Sequence, residues 1–154
     1  MKVLIVYDSV SPMKLTVKVA YAIGEVLKEK GIEFDSFHVK DVDKATVKNY
    51  DCMIAGSPTI YFRASTGIME FLNSLPEKTF SGKRAAAFDT QLQMRMSGNG
   101  AEGIEKKLKK LGFEMVTAPL VTYVEGKMNE MQLKEGQLEK TKGWAQEVAK
   151  ALSK

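Results

Sequence analysis

At 154 residues, 44% of them hydrophobic and 27% charged, the chain has the size and composition of one globular domain, which excludes a disordered or fibrous chain. Its apolar runs fall far short of the ~20 residues of a membrane span, and Met1–Tyr7 runs straight into Asp8 without a small-residue cleavage site, so it reads as a buried first strand and not a signal peptide. The net charge of +4 bears on partners and solubility, not on fold, and the single Cys52 cannot form an internal disulfide, which fits a reducing, cytoplasmic setting.

In chain order, the first expected element is a strand over Lys2–Tyr7, apolar on both faces. The loop Asp8–Thr16 then opens a helix whose inner face carries Val17, Ala20, Gly24 and Leu27. A strand that turns directly into a helix start aims free N–H groups and a positive dipole end at whatever lies ahead. Ser9, Ser11 and Thr16 add hydroxyls, which suit a phosphate or, equally, cap the helix. Lysines in the last helical turn and Gly31 after it form a C-terminal stop. Glu33–Val39 alternates more and is expected at a sheet edge, with His38 a surface residue at its end.

Cys52–Gly56 is the next buried strand, followed by a loop from Gly56 to Thr66 that places Ile60, Tyr61 and Phe62 together. Unpaired apolar side chains at a strand-end crevice suit a flat ligand that covers them. A helix over Thr66–Leu75 turns Ile68, Phe71 and Leu72 inward, and Arg84–Phe88 is a fourth strand. The third loop, Asp89–Gly100, starts polar and becomes glycine-rich where it enters a helix carrying Ile104, Leu108 and Leu111. That helix ends on the same lysine-then-glycine stop, at Gly112. A strand over Leu120–Val124 and a helix with Leu138, Ala145, Val148 and Leu152 on one face complete the chain. Strands alternating with helices throughout define a three-layer α/β sandwich. No linker or repeat divides residues 1–154, so one domain is expected, with its ligand beyond the carboxyl ends of the strands.

Other signals carry less. The lysines around Glu105–Lys110 have no interleaved aromatics and read as a solvated helix face, not a nucleic-acid patch. Gly98-Asn99-Gly100-Ala101-Glu102-Gly103 matches the dinucleotide fingerprint only in letters, because it does not follow a strand at once. His38 and Cys52 make no metal site, Cys52 packs as a small hydrophobe, and Trp144 belongs to the packing of the last helix.

Val6-Tyr7-Asp8-Ser9, then Ala55-Gly56-Ser57-Pro58-Thr59 ahead of an amphipathic helix, then Phe88-Asp89-Thr90 and Ser97-Gly98 ahead of Ile104–Phe113 together resemble the flavodoxin family. The tail from Tyr123 to Leu152 is similar to the close of many members. The likeness covers nearly the whole chain in order. It implies a five-stranded parallel sheet of order 2-1-3-4-5 and non-covalently bound flavin mononucleotide (FMN) in a small electron carrier that docks on a redox partner protein. Further readings are a flavodoxin-like binding module that holds another anion or a protein, and a flavin reductase.

By the same resemblance, the phosphate falls to Ser9, Val10, Ser11, Lys14, Leu15 and Thr16, and the ribityl chain to Asp89 or Thr90, with Gln91 beside them. The ring falls to Pro58, Thr59, Ile60, Tyr61 and Phe62 on one side and Met94 or Met96 and Gly98 on the other. The loops depart from the family pattern. Pro12 and Met13 stand where the phosphate loop has glycine, and Phe62 stands where a glycine turns its peptide toward the flavin. A bulky Phe62 is expected to resist positive φ. Because the chain is basic, an acidic partner surface is expected.

Overall fold

The computed structural model describes residues 1–10, 13–93, 98–127 and 129–154. Its frame is five parallel strands: β1 (Lys2–Tyr7), β2 (Glu33–His38), β3 (Cys52–Ile60), β5 (Arg84–Leu92) and β7 (Leu120–Glu125). They lie in the order β2-β1-β3-β5-β7, the expected 2-1-3-4-5, with β2 at the edge. Three two-residue strands were not expected: β4 (Arg63–Ala64) pairs antiparallel with β3, β6 (Glu114–Met115) pairs parallel with β5, and β8 (Gln132–Leu133) pairs antiparallel with β7. Pieces this short carry no period of their own and form only because a neighbouring strand end offers them an edge.

Two layers of helix cover the sheet. Side chains alternate across a strand, so Val3 and Ile5 of β1 face α1 (Leu15–Glu29) and α4 (Gln137–Leu152). Leu4 and Val6 face α2 (Thr66–Asn73) and α3 (Gly100–Leu111). Ile68, Phe71 and Leu72 of α2 and Ile104, Leu108 and Leu111 of α3 are buried, as their spacing predicts. In α1 the inward face is filled by Val19, Ala20, Ile23 and Leu27, while Val17 is only half-buried; in α4 Leu138 is exposed, leaving Trp144, Ala145 and Val148 as the contact. Trp144 also donates its indole N–H to the Ala118 carbonyl at 2.8 Å. The two helix stops form as expected. Gly112 caps α3 at φ 106° and Gly31 follows α1 at φ 72°, a left-handed region that costs glycine nothing.

The largest departure from expectation is at the carboxyl ends. β3 runs on past Gly56 to Ile60, and β5 past Phe88 to Leu92. Ser57 pairs with Asp89 and Pro58 with Thr90, while Asp89 to Leu92 pair with Val121 to Val124 of β7. These polar residues are strand, not loop, because their side chains find partners inside the sandwich. β1 ends at Tyr7, so at Ser57 and Pro58 β3 pairs with β5 alone, an edge setting that tolerates Pro58. Among the described residues, no helix is long and apolar enough to cross a membrane.

Candidate functional site

The carboxyl ends of β1, β3 and β5 meet the starts of α1 and α3. At the end of β1, Asp8 is buried and its carboxylate joins three elements. Ser65, the residue that caps α2, donates its hydroxyl to Oδ2 at 2.6 Å, and His38 Nε2 lies 3.3 Å from Oδ1. The Lys40 N–H donates to His38 Nδ1 at 3.1 Å, so the imidazole offers its other nitrogen, Nε2, as the donor toward Asp8. His38 is therefore part of a buried-edge network and not a plain surface residue, a pairing that no sequence spacing signals.

The start of α1 answers the alternative for one of its hydroxyls, that of Thr16. Lys14 occupies the capping position in a left-handed conformation (φ 53°, ψ 42°), and its own side chain makes no cap hydrogen bond. The Thr16 hydroxyl is instead 3.0 Å from that of Thr90 in β5, both buried. With no acidic residue in the first turn, the N–H groups of that turn face the loop with a cation, Lys14, beside them. Ser9 is half-buried and Val10 exposed next to this opening. Ser11, Pro12, Met94, Arg95 and Met96 lie outside the described residues.

The second loop is a tight hairpin. Ile60 of β3 pairs with Arg63 of β4, leaving Tyr61 and Phe62 as a two-residue turn. Their φ values are 46° and 72°. Such a turn needs φ > 0 at both positions, which Asn-Gly ordinarily supplies. The expectation that Phe62 resists positive φ is overturned: hairpin closure and a bridge from Phe62 to Gly98 impose the conformation on it. Gly98, at φ 75°, is where that bridge needs glycine, because a Cβ there would stand 2.4 Å from the Phe62 carbonyl oxygen. Tyr61 is 89% exposed and Phe62 58%, with Ile60 and Leu92 also at the surface.

The third segment contributes Asp89, Thr90 and Gln91, all buried on extended β5. Asp89 Oδ2 accepts from Thr59 Oγ1 at 3.0 Å, Gln91 Nε2 at 2.9 Å and the Ala101 N–H at 3.1 Å. Thr59 in turn accepts the Gly100 N–H at 2.9 Å, so this cluster fixes the start of α3 to the end of β3. Burial raises the Asp89 carboxyl above the usual range, against the pull of those donors. Asn99 caps α3 from its side chain to the Glu102 N–H at 3.0 Å, which makes the glycine-rich run a helix start, not a pyrophosphate cradle.

A cavity of about 160 Å³ lies between these parts, lined among others by Val10, Leu15, Thr16, Thr59, Thr90 and Gln91. Val124 and Met131 of the β7–β8 segment close it, residues that sequence reading does not single out. It is smaller than the roughly 300–1,000 Å³ of most ligand sites. A larger cavity of about 570 Å³ adjoins it through Val10, bounded by Asp8, Ser9, His38, Lys40 and Lys44. Cys52 takes no part, since burial pushes its thiol up to about 12.

A parallel α/β sheet of this strand order, with a helix start free of acidic residues and exposed aromatic side chains at the carboxyl end of β3, has the architecture of the doubly wound class. The flavodoxin model matches residues 5–144, and the chain belongs to the flavodoxin family of FMN-binding electron-transfer proteins. Similar solved structures include flavodoxin 2 of Bacillus cereus, at 23% identity over 97% of this chain and 99% of that one, with a TM-score of 0.82. A flavodoxin of Streptococcus pneumoniae shows 16% identity over 97% and 99%, with a TM-score of 0.80. The rubredoxin oxygen:oxidoreductase of Desulfovibrio gigas shows 24% identity and a TM-score of 0.77, covering 99% of this chain and 36% of that longer one. No curated protein matches the chain.

The residues present fit FMN. The α1 start carries a cation, Lys14, and no acidic residue in its first turn, and the aromatic rim is uncovered. Each of these features is costly or idle until a ligand meets it.

Proposed function

We propose that this protein is a small one-electron carrier whose FMN phosphate is held at the α1 start and whose flavin ring lies against the Tyr61–Phe62 hairpin. The observation that carries this is the α1 start with Lys14 and no acidic residue in its first turn, together with an exposed aromatic turn at the end of β3. FMN supplies the electron-transfer chemistry when bound; the protein supplies position and charge. Ser9, Val10, Ser11, Lys14, Leu15 and Thr16 surround the phosphate. Thr90 and Gln91 meet the ribityl chain, with Asp89 beneath. Pro58, Thr59, Ile60, Tyr61 and Phe62 form one side of the ring site, and Gly98 with Met94 or Met96 the other.

Electrons pass to and from partner proteins, as in the family. The net charge of +4 and the exposed Arg63 beside the hairpin favour a partner with an acidic docking face. The lone, unreactive Cys52 thiol agrees with a cytoplasmic protein.

The test compares FMN with riboflavin, which lacks the phosphate. Hydrogen bonds to a charged group contribute roughly 1.5–3 kcal/mol each. Lys14→Glu should therefore weaken FMN at least tenfold, measured by flavin fluorescence quenching, and leave riboflavin nearly unchanged. Equal loss for both ligands would show that the loop only shapes the fold.

A further inference from the structure

Along β5, Ala85 and Ala87 face the α2–α3 layer, and Asp89 is the next residue in that row. A carboxyl group thus continues an apolar stripe, with no exposure to solvent at all. Its donors are distributed unevenly. Thr59, Gln91 and the Ala101 N–H all reach Oδ2, and Oδ1 accepts from nothing.

The groups in direct contact with it are neutral. Ser57 and Thr59 lie on β3, Gln91 follows on β5, and Thr122 of β7 donates its hydroxyl to the Asp89 carbonyl at 2.7 Å. From α3 come the Ala101 N–H and, through Thr59, that of Gly100. Among the described residues, the ionisable groups on adjoining elements are Arg63 of β4 and Glu102 of α3, both exposed, and Asp8 after β1, which lies beyond Ser57 and is engaged by Ser65 and His38; none of them forms an ion pair with Asp89. An ionised carboxylate has four lone-pair positions to satisfy, two on each oxygen. With the three hydrogen bonds on Oδ2 and the Thr122 N–H only nearby, Oδ1 is the place for a proton. Burial, which pushes the group above the ordinary carboxylate range, acts in the same direction.

We propose that Asp89 is a proton-carrying positioning residue beneath the redox site: as a reduced donor protein passes one electron into the site, Oδ1 takes up one proton from solvent, and it releases that proton when the electron leaves. One negative and one positive charge enter together, so the net charge of the site is unchanged. The same carboxyl holds Thr59 and the α3 start in place in both states through Oδ2. The electron half of this inference rests on the FMN reading above; the proton half does not.

Asp89→Asn is the direct test, because the amide keeps the acceptor oxygen and puts N–H donors where the protonated Oδ1 would be. In the cofactor-free protein, the folded pKa lies above the unfolded one, so the native state binds the extra proton. That contribution to stability is complete below the ordinary Asp pKa of about 4 and is lost as pH rises through the raised value. Wild type should therefore lose denaturant stability with rising pH relative to Asp89→Asn, and the variant should be the more stable at alkaline pH. Gln91→Leu, which removes one donor that favours ionisation, should move the wild-type loss to higher pH. With FMN bound, the lower one-electron potential of wild type should fall with pH by up to ~59 mV per unit, and that of Asp89→Asn should stay nearly flat. A variant less stable than wild type at every pH, or equal potential slopes in the two proteins, overturns the proposal. If wild type binds no FMN, the FMN reading falls, and the cofactor-free stability curves still decide whether Asp89 holds the proton.

Discussion

Tyr61 and Phe62 are the residues whose conformation runs furthest against their chemistry. Each left-handed non-glycine residue costs roughly 1–2 kcal/mol, and two in succession, both exposed, gain little packing to offset it. Replacing the pair with Asn-Gly, the sequence such a turn favours, should raise the unfolding free energy of the cofactor-free protein by about 1–3 kcal/mol, read from the urea midpoint. The same variant should bind FMN more weakly, because the aromatic rim is gone. At Asp8 the balance reverses. Its carboxylate serves Ser65 and His38 from a buried position, and Asp8→Ala leaves both donors unpaired, at a cost of roughly 2–4 kcal/mol in the same measurement. Neither feature is legible in the sequence. Tyr-Phe gives no turn signal, and Asp8 and His38 are brought together only by the pairing of β1 with β2.

At the scale of elements, the helices and the inner four residues of β1 were readable because their side chains meet one environment per face. The ends of β3 and β5 were not. Ser57, Asp89, Thr90 and Gln91 look like loop residues by polarity, yet all are buried. Their partners are distant in sequence: Thr16 for Thr90, Ala101 and Thr59 for Asp89. Polar residues at a strand end can therefore be strand wherever neighbouring elements supply donors and acceptors. The start of α3 shows how closely cap and site are linked. Asn99 satisfies the Glu102 N–H just beside the N–H groups held by Thr59 and Asp89. Asn99→Ala should cost about 1 kcal/mol of stability and widen hydrogen exchange at Gly100 and Ala101, which amide-resolved exchange would detect. Unchanged protection there would mean that Asp89 and Thr59 alone hold the helix start.

For the whole molecule, the fold, the strand order and the family follow from the alternation of strand and helix along 154 residues. The proposed contacts with FMN depend on the three carboxyl-end segments, whose residues the alternation does not read. Its charge of +4 is a property of the entire surface, and association with an acidic electron-transfer protein should slow as salt is raised from low to physiological levels. A rate indifferent to ionic strength would argue against charge-guided docking. The central claim is that the start of α1 holds a phosphate and the hairpin holds the flavin. It is tested most directly by titrating the cofactor-free protein with FMN and with riboflavin while following flavin fluorescence. The expected result is saturable quenching by one FMN per chain at micromolar or lower concentration, with riboflavin markedly weaker. Failure of both to bind, or riboflavin binding as tightly as FMN, would contradict it.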